Sequence, residues 1–344
     1  SWRGTTVTQT GNVVLNGTKS LYIDSDGIAS ITATWITDGY NLTVGGNINV
    51  GTGNDTALKT LNASTAGGRT TTITVGGNWT VYGTGTTPAV FTAGNSTVIF
   101  NKTTNDQTVA TGGDAFYNLT LNNTGVSGSD DIIVSGALDV NGLLTITDGD
   151  LDVSTNDPNV NIAGGMTIGA NGSIDLSAYT GTWTYDGSGT LTDNRAVLGD
   201  LGAFTIDGTA ATLTLGSNIK ATGITVGADD TLNLGAGSYT LELTGSGTPL
   251  TVNGSFNKGT GSTVKYSGTS ATNVATVAYN NLQLSGATTY SLTGNLTSGN
   301  ALTGNLTIDT GATLDTTAAN NYSVTLAGSW SNSGTFTARS STVT

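Results

Sequence analysis

The sequence predicts an all-β fold: a single elongated β-solenoid (β-helix) of short strands and Gly or Asn turns, with no significant helix. Three observations predict it. Apolar residues alternate with Thr or Asn at a period of two along almost the whole chain. Gly-Gly, Asn-Gly, Asp-Gly and Gly-Ala steps recur every few residues and separate the strands with turns. Long blocks of sequence also superimpose on one another, as in a repeat array.

The individual strands are predicted from pairs of branched apolar residues with one polar residue between them. Such a pair puts two side chains on one face of a strand, and the Thr between them suits the solvated face. No stretch has helical i, i+3, i+4, i+7 spacing long enough to indicate a helix. Clear examples are Leu42/Val44, Ile73/Val75, Leu119/Leu121, Leu138/Val140, Leu213/Leu215, Leu241/Leu243 and Leu306/Ile308.

A row of β-sandwiches is the alternative architecture for many short strands. Each strand here offers about two inward residues, which is thin for a sandwich face but suits one wall of a coil. The chain has only 3 Pro and 5 Trp, and the expected core residues are mostly Val, Ile and Leu, which can stack in ladders. Repeat blocks align at 144–177, 224–259 and 306–340, with a diverged copy at 42–94. These features favour the solenoid.

The domain prediction is one continuous solenoid array over residues 1–344. With roughly 20 residues per coil, the chain would make on the order of 16 coils. The region 181–208 keeps the pattern least well and is predicted to be a bulge, a loop excursion or a change in coil shape. It brings Trp183, Tyr185, Arg195 and Phe204 close together in sequence.

The best-formed repeat runs from Thr72 to Leu121 and contains TITVGGNWTV, FTAGNSTVIF and FYNLTL. Parts of it return at 250–268 and at 324–344. This style of repeat resembles the large secreted β-solenoid proteins of bacteria and archaea, including filamentous-haemagglutinin-like proteins and adhesin stalks. The resemblance implies an extracellular or cell-surface stalk, filament or adhesin, and it brings no catalytic motif.

Composition narrows the functional classes. The chain has no His and no Cys, which removes the commonest general base, the commonest metal ligand and all thiol chemistry. Its formal net charge of -13 repels phosphate backbones and anionic lipid headgroups, so nucleic-acid and membrane-surface binding are disfavoured. Apolar residues at fixed spacing disfavour a disordered linker. No run is long enough to span a bilayer.

The location is predicted to be extracellular or at the cell surface. The sequence begins at Ser1 instead of a methionine, and no apolar signal-type segment precedes the repeats. The expectation is a secreted chain from which a signal peptide has been removed, and a trimmed chain is the alternative.

The chain is predicted not to be an enzyme. β-Helices do host polysaccharide-active enzymes, and two well-placed carboxylates suffice for glycoside hydrolysis. The single Glu of the chain, Glu242, lies on an ordinary alternating strand, and the basic residues are scattered. A polysaccharide-active β-helix enzyme is therefore the remote alternative.

N-glycosylation is the first candidate modification, because 14 asparagines fit the N-x-[ST] pattern. Asn, Ser and Thr are so common here that chance supplies about nine or ten such matches. An archaeal or eukaryotic secretion route would glycosylate several of them. The candidates are Asn16, Asn41, Asn54, Asn62, Asn78, Asn95, Asn101, Asn118, Asn122, Asn171, Asn253, Asn295, Asn305 and Asn321.

No cofactor and no metal site are predicted, with calcium at acidic clusters kept as an alternative. Oxygen-rich loops can hold Ca²⁺, but no segment follows the EF-hand spacing or the calcium-binding nonapeptide pattern. The Asp148 triplet is expected to form a solvated ladder on the outer strand face. The clusters are Asp24/Asp26, Asp130/Asp131, Asp148/Asp150/Asp152 and Asp229/Asp230.

The tryptophans are predicted to be structural. Trp2, Trp35, Trp79, Trp183 and Trp330 could line a sugar-binding face. However, Trp79 and Trp330 occupy a repeat position that is filled by Met166 and Phe256 in other copies. A position that accepts Trp, Met and Phe is expected to be a core or stacking position.

The two ends of the sequence predict the partner. Residues 341–344 match 96–99 and 262–265, after which those copies continue with an aromatic and then a polar residue. Residues 1–5 supply nearly the same pattern, so the uncapped ends are predicted to join copies head to tail in a homopolymer. Alternatives are a glycan-binding adhesin or stalk, and a fragment of a longer repeat adhesin. The predicted interface residues are Ser1, Trp2, Arg3, Gly4, Thr5, Val13, Leu15, Phe336, Thr342, Val343 and Thr344.

Overall fold

The structure is a computed structural model that describes residues 5–24, 31–53, 55–64, 69–83 and 87–344. Its parallel strands stack as a β-solenoid of about 13 turns, which confirms the predicted fold class. The described residues contain no α-helix and a single 3-10 turn, Ser298–Asn300. The chain divides into two compact units, Ser1–Thr182 and Trp183–Thr344. The prediction of one continuous array over 1–344 stays a prediction.

The described part of the first unit contains strands β1 to β18, most of them only three to five residues long. Their bounds are β1 Thr5–Thr8, β2 Val13–Leu15, β3 Leu21–Ile23, β4 Ala33–Ile36, β5 Leu42–Val44, β6 Ile48–Val50, β7 Lys59–Asn62, β8 Thr72–Val75, β9 Trp79–Val81, β10 Val90–Thr92, β11 Thr97–Phe100, β12 Gln107–Ala110, β13 Asn118–Asn122, β14 Asp131–Ser135, β15 Leu138–Val140, β16 Leu144–Asp152, β17 Val160–Ile162 and β18 Met166–Asp175.

Three walls build the coils of this unit. Wall A consists of β1, β4, β7 and β10; wall B of β2, β5, β8, β11 and β13; and wall C of β3, β6, β9, β12 and β14. The nine-residue strand β16 pairs with β13 through its first part and with β14 through its last part, so walls B and C merge there. Strands β15 and β17 form a further parallel pair.

The core of the first unit is a set of apolar ladders inside the walls. In wall B, Leu42 lies in register with Ile73, and Ile73 with Val98. All three side chains are 0% exposed. Because each turn repeats the alternation of the one before, equivalent side chains stack directly, and burial of each Val, Leu or Ile contributes about 1.5–3 kcal/mol.

The turns are on average longer than the roughly 20 residues that the sequence predicts. Backbone-to-side-chain hydrogen bonds between equivalent positions of successive turns join residues 31 apart at Asn78 and Asn47, 24 apart at Asn305 and Asn281, and 19 apart at Ser340 and Asn321. The expected 16 coils are therefore too many, and about 13 turns are found. The strands recur regularly, but the loops between them vary in length, and periodicity in the strands does not reveal that length.

Glycine allows the turns to approach each other at the corner between walls B and C. A Cβ atom added to Gly45 would lie 1.9 Å from the carbonyl oxygen of Gly17 in the preceding turn. At Gly77 it would lie 2.3 Å from the side-chain oxygen of Asn47. The Gly-Gly steps therefore serve close packing between turns as well as turn formation.

The second unit contains strands β19 to β36. Their bounds are β19 Trp183–Tyr185, β20 Gly189–Asp193, β21 Ala203–Ile206, β22 Thr212–Leu215, β23 Ile219–Ala221, β24 Gly223–Val226, β25 Thr231–Asn233, β26 Thr240–Leu243, β27 Leu250–Val252, β28 Ser255–Asn257, β29 Thr263–Tyr266, β30 Thr272–Val274, β31 Asn281–Leu284, β32 Thr289–Leu292, β33 Leu306–Ile308, β34 Thr313–Asp315, β35 Trp330–Asn332 and β36 Thr335–Thr337.

Four walls build the second unit, and two of them end partway along it. Wall D consists of β19, β21, β24 and β27, and wall E of β20, β22, β25 and β28. Wall F consists of β23, β26, β29, β31, β33 and β35, and wall G of β30, β32, β34 and β36. The coil therefore changes its cross-section after β28.

The divergent region 181–208 contains the boundary between the two units, at residues 182 and 183. In the second unit this region contains a loop, residues 194–202, between β20 and β21, in which Val197 is 84% exposed. Tyr185 in β19 and Phe204 in β21 are buried, with ring centroids 5.2 Å apart. Arg195 pairs with Asp193 at 2.6 Å. Larger aromatic side chains here replace the aliphatic ladder, which is why the sequence pattern looks irregular.

Candidate functional site: the open strand edges

The last strands of the described chain form an open edge, defined here as the C edge: β35, β36 and residues 342–344. Strand β35 pairs only with β33, and β36 only with β34, among the described strands. Val343 bridges Val324 on one side. Trp330 and Phe336 pack edge to face with ring centroids 4.8 Å apart, yet both are only half-buried. Val343 is 40% exposed.

The first strands form the N edge, defined here as β1, β2 and β3, which begin walls A, B and C. Each of them has one hydrogen-bonded strand neighbour among the described residues. Val13 and Leu15 point inward but stay half-buried, because no further turn of the described residues covers them. On the outer face, Val14 is 56% and Tyr22 is 54% exposed. Both edges thus present unpaired strand backbone beside uncovered apolar side chains.

The predicted interface residues divide between the two edges. Ser1, Trp2, Arg3 and Gly4 lie outside the described residues. Thr5 begins β1, Val13 and Leu15 lie in β2, and Phe336, Thr342, Val343 and Thr344 belong to the C edge.

Sequence reasoning missed Trp330 as an edge residue because it assigned that repeat position to a core or stacking position without distinguishing the two. Trp79 and Met166 are core residues, each 1% exposed. Trp330 and Phe256 are half-buried and pack on Phe336 and Tyr279, with ring centroids 4.8 and 6.3 Å apart. The position is buried only where a following turn continues the same wall. The sequence around the position does not show whether such a turn follows. Of the remaining tryptophans, Trp183 is buried, Trp35 is half-buried, and Trp2 lies outside the described residues.

The described sequon asparagines are all at least partly exposed, while Asn54 lies outside the described residues. Many of them belong to a hydrogen-bonded ladder at the corners, in which the side-chain oxygen accepts a backbone N–H from the next turn. Asn41 binds Thr72 in this way, Asn78 binds Thr108, and Asn118 binds Leu143. The same bond is made by Asn295, Asn305 and Asn321.

This ladder supplies a structural reason for the sequons. The side-chain oxygen of an Asn at a corner accepts a backbone N–H group of the next turn. The Thr or Ser two residues later lies on the outer strand face. Asn-x-Thr follows from the architecture itself, so the excess over chance needs no glycan to explain it. Glycosylation stays a prediction. Asn16, Asn95, Asn101 and Asn253 are the exposed sequon asparagines whose side chains make no hydrogen bond within the described residues.

The structure brings two of the predicted acidic clusters together. Strand register places Asp131 opposite Asp150, and carboxylate oxygens of Asp130, Asp131 and Asp150 lie within 4.8 Å of one another. Burial raises the pKa of Asp131 to about 6, and the negative charges of Asp106, Asp150, Asp152 and Asp130 add to the effect. The sequence did not predict that Asp131 and Asp150 lie together, because this depends on which residues of adjacent turns are paired.

The expected solvated ladder of Asp148, Asp150 and Asp152 is corrected at its last member. Asp152 is 5% exposed, and its carboxylate accepts hydrogen bonds from the backbone N–H groups of Ser154 and Thr155. The strand pairing shifts between Ile146 and Asp148, which breaks the strict alternation. Carboxylate oxygens suit Ca²⁺, and calcium binding stays a prediction from the sequence.

The other acidic clusters stay apart from this one. Asp230 is fully buried and accepts the backbone N–H of Ala211 at 2.7 Å, which is a structural role. Asp229 is exposed and accepts the N–H of Ala210. Asp24 follows β3, and Asp26 lies outside the described residues.

The residues considered for catalysis have structural partners. The Glu242 carboxylate pairs with Lys265 at 3.1 Å and accepts a hydrogen bond from Ser267. Burial opposes its ionisation, but the bonds from Ser267 and Lys265 prevail and lower the pKa of Glu242. Lys220 lies opposite Glu242 on the neighbouring strand, so the three form part of an outer charge ladder. The absence of an enzymatic activity stays a prediction.

Comparison of the chain with family models, curated proteins and solved structures finds no match in any of the three. None of the described helical segments is long and apolar enough to cross a membrane. The class of protein that the fold defines is a parallel β-solenoid repeat protein.

Proposed function

We propose that this chain is an extracellular structural protein, the subunit of a head-to-tail surface filament in which the N edge of one copy pairs with the C edge of the next. One observation carries the proposal: at both edges, positions that are buried inside the solenoid remain uncovered. Unpaired strand edges are templates for pairing with another chain, and main-chain hydrogen bonds across such an edge supply affinity.

The repeat motif indicates which strands meet. Trp330, Phe336 and Val343 occupy the positions of Trp79, Phe91 and Val98 in the first copy of the motif. Those three residues lie on walls C, A and B. The motif next returns to wall C, above β35, as β12 follows β11 in the first copy. The first strand of the next copy continues this order, so we place β1 on β35, β2 on β36 and β3 on residues 342–344.

Polarity favours open growth over a closed pair. The strand pairs within the walls are parallel, so the two edges of the solenoid are unlike surfaces. A contact between unlike surfaces is heterologous and propagates into a filament if its rotation does not close a ring.

The leading alternative is that these residues belong to a longer repeat adhesin or stalk. Further turns of the same chain would then cover both edges. The intact mass of the protein isolated from the surface fraction of its source cells separates the two. A mass near the 34.4 kDa of these residues supports the filament subunit, and a much larger mass supports the longer adhesin.

A single charge at the C edge tests the filament. Val343→Lys places an ammonium group where the next copy should bury an apolar side chain, and inward charges block edge pairing. Electron microscopy and sedimentation of the 344-residue chain should show fibres for wild type and monomers for Val343→Lys. The matched control is Thr342→Lys, whose side chain points to the opposite face of the same segment, and it should assemble like wild type. Fibres of normal length from Val343→Lys, or a wild-type chain that stays monomeric, would overturn the proposal.

A further inference from the structure

A groove opens on the side of the second unit, where walls D and E end. Strand β27 pairs only with β24, and β28 only with β25, among the described strands. The next turn crosses this side as residues 275–280, which form no strand. The change in cross-section leaves a step in the solenoid surface, and the edges of β27 and β28 lie at that step.

The groove is lined by both turns and by the 3-10 turn beyond them. Its volume is about 330 Å³, within the range of small-molecule sites. The turn that contains β27 and β28 contributes Val252, Gly254 and Phe256. The following turn contributes Thr276, Val277 and Ala278. Gly299 and Asn300 complete the lining.

Phe256 makes this place different from the equivalent positions in other copies. Trp79 and Met166 are each 1% exposed at the same motif position. Phe256 is half-buried, its ring centroid lies 6.3 Å from that of Tyr279, and it lines the groove. A partly exposed aromatic ring offers an apolar surface for a ligand.

The polar groups of the groove are neutral. The lining has no acidic or basic side chain, and the net charge of the chain is -13. The negative net charge and the lack of a basic side chain disfavour anionic ligands. The lining also has no carboxylate to pair with the charge of a cationic ligand. The Asn300 amide makes no hydrogen bond to the described residues and can both donate and accept.

We infer that this groove binds a neutral saccharide of one or two rings. A sugar ring presents an apolar C–H face, which suits the Phe256 ring, and neutral hydroxyls, which suit the amide of Asn300 and the free backbone groups of β28. An added peptide strand fits less well, because β27 and β28 have three residues each and a corner at 253–254 separates them. The site is independent of the two edges that carry the filament proposal.

Ligand-observed saturation-transfer NMR on the complete 344-residue protein tests this, because it works equally for monomers and large assemblies. The probes are galactose, mannose, N-acetylglucosamine, lactose and cellobiose, with galacturonate as the anionic control and a Thr-Val-Thr-Val peptide as the strand control. We expect at least one neutral saccharide to bind with millimolar affinity, with the strongest transfer to protons of one ring face, and neither control to bind.

Two variants locate the binding. Phe256→Leu removes the flat ring but keeps apolar volume in the core, and Asn300→Ala removes the amide. Each should weaken binding about 2- to 10-fold, while Asn320→Ala, an exposed loop asparagine of the same unit, should not. Thermal unfolding checks that Phe256→Leu stays folded, and Asn300→Ala keeps the test valid if it does not. The inference fails if no neutral saccharide binds, if the peptide binds instead, or if Asn300→Ala binds like wild type.

Discussion

The first and last copies of the repeat motif share their Trp, Phe and Ser-Thr-Val positions but have different environments. In the first copy, Trp79 is 1%, Phe91 4% and Val98 0% exposed. In the last copy, Val343 is 40% exposed, and Trp330 and Phe336 are half-buried.

The difference lies in the neighbouring turns. Strands β9 and β11 have parallel partners on both sides, whereas β35 and β36 have a partner on one side among the described residues. A residue in a solenoid is therefore buried by the turns before and after it, and its own sequence only makes that burial favourable. The last copy therefore has apolar side chains and strand backbone that a further strand could still cover.

The largest contrast should be between Trp79→Ala and Trp330→Ala. Trp79 packs against Phe91 at 4.9 Å and Phe116 at 5.6 Å between ring centroids. Its loss should lower the free energy of unfolding by about 3–5 kcal/mol. Trp330→Ala, measured in the monomeric Val343→Lys background, should cost less than half as much. Denaturant unfolding of both variants provides the comparison, and equal losses would show that the edge is covered after all.

A smaller contrast should separate Gly77→Ala from Gly328→Ala. In both, an added Cβ would lie within 2.5 Å of an atom of the preceding turn. Gly77 also accepts a hydrogen bond from Gln107 in the next turn, which restrains it from the other side. Gly77→Ala should cost about 1–3 kcal/mol, and Gly328→Ala clearly less, because its segment can shift outward. Thermal unfolding in the same monomeric background measures both, and the reverse order would contradict this account.

The corner ladder predicts a still smaller effect. Asn78→Ala removes the acceptor of the Thr108 backbone N–H, a bond of 3.1 Å. The expected loss is about 1 kcal/mol. The control is Asn95→Ala in the same motif copy, where the side chain is exposed and makes no hydrogen bond within the described residues. Chemical unfolding should separate the two variants, and identical stabilities would remove the ladder as a stabilising feature.

The carboxylate cluster extends the comparison to charge, since Asp131 acquires its neighbour Asp150 from the next turn. Its pKa is raised from 3.8 to about 6 in the folded protein, so the folded state binds more protons than the unfolded state between these values. Stability should therefore fall as pH rises from about 4 to about 6, and stay lower above that range. Unfolding midpoints across this range measure the slope.

Asp131→Asn should flatten this slope and raise stability at neutral pH. Asp186→Asn, which replaces an exposed carboxylate outside the cluster, is the matched control and should leave the slope in place. A slope that persists in Asp131→Asn would assign it to another group.

The sequence was sufficient for the fold class and for most of the core. Alternation in segments such as Ile73 to Val75 fixes which side chains point inward, and Gly-Gly steps mark the corners. It was insufficient for the number of turns, because loop lengths leave no periodic signal. It also did not show that β16 joins two walls, or that Asp131 faces Asp150, since both depend on pairing between turns. For the same reason, Trp330 and Phe256 could not be distinguished from Trp79.

The central claim, that the N edge of one copy pairs with the C edge of another, is tested most directly by cross-linking. The chain has no cysteine, so an introduced pair is unique. Thr8 on β1 and Ser331 on β35 are exposed residues. The proposed stacking sets Val7 against Trp330, as Val109 lies against Trp79, so Thr8 and Ser331 lie one strand step apart, about 4.8 Å. That separation permits a disulfide, which requires Cα atoms closer than about 7 Å.

The control pair is Thr8→Cys with Thr307→Cys. Thr307 lies in register with Ser331 one turn further from the edge, so it would be about 10 Å from Thr8 of the next copy, too far for a disulfide. We expect a ladder of disulfide-linked multimers on a non-reducing gel for Thr8→Cys/Ser331→Cys, and none for the control pair. No intermolecular disulfide in the first pair, or equal linkage in both, would contradict it.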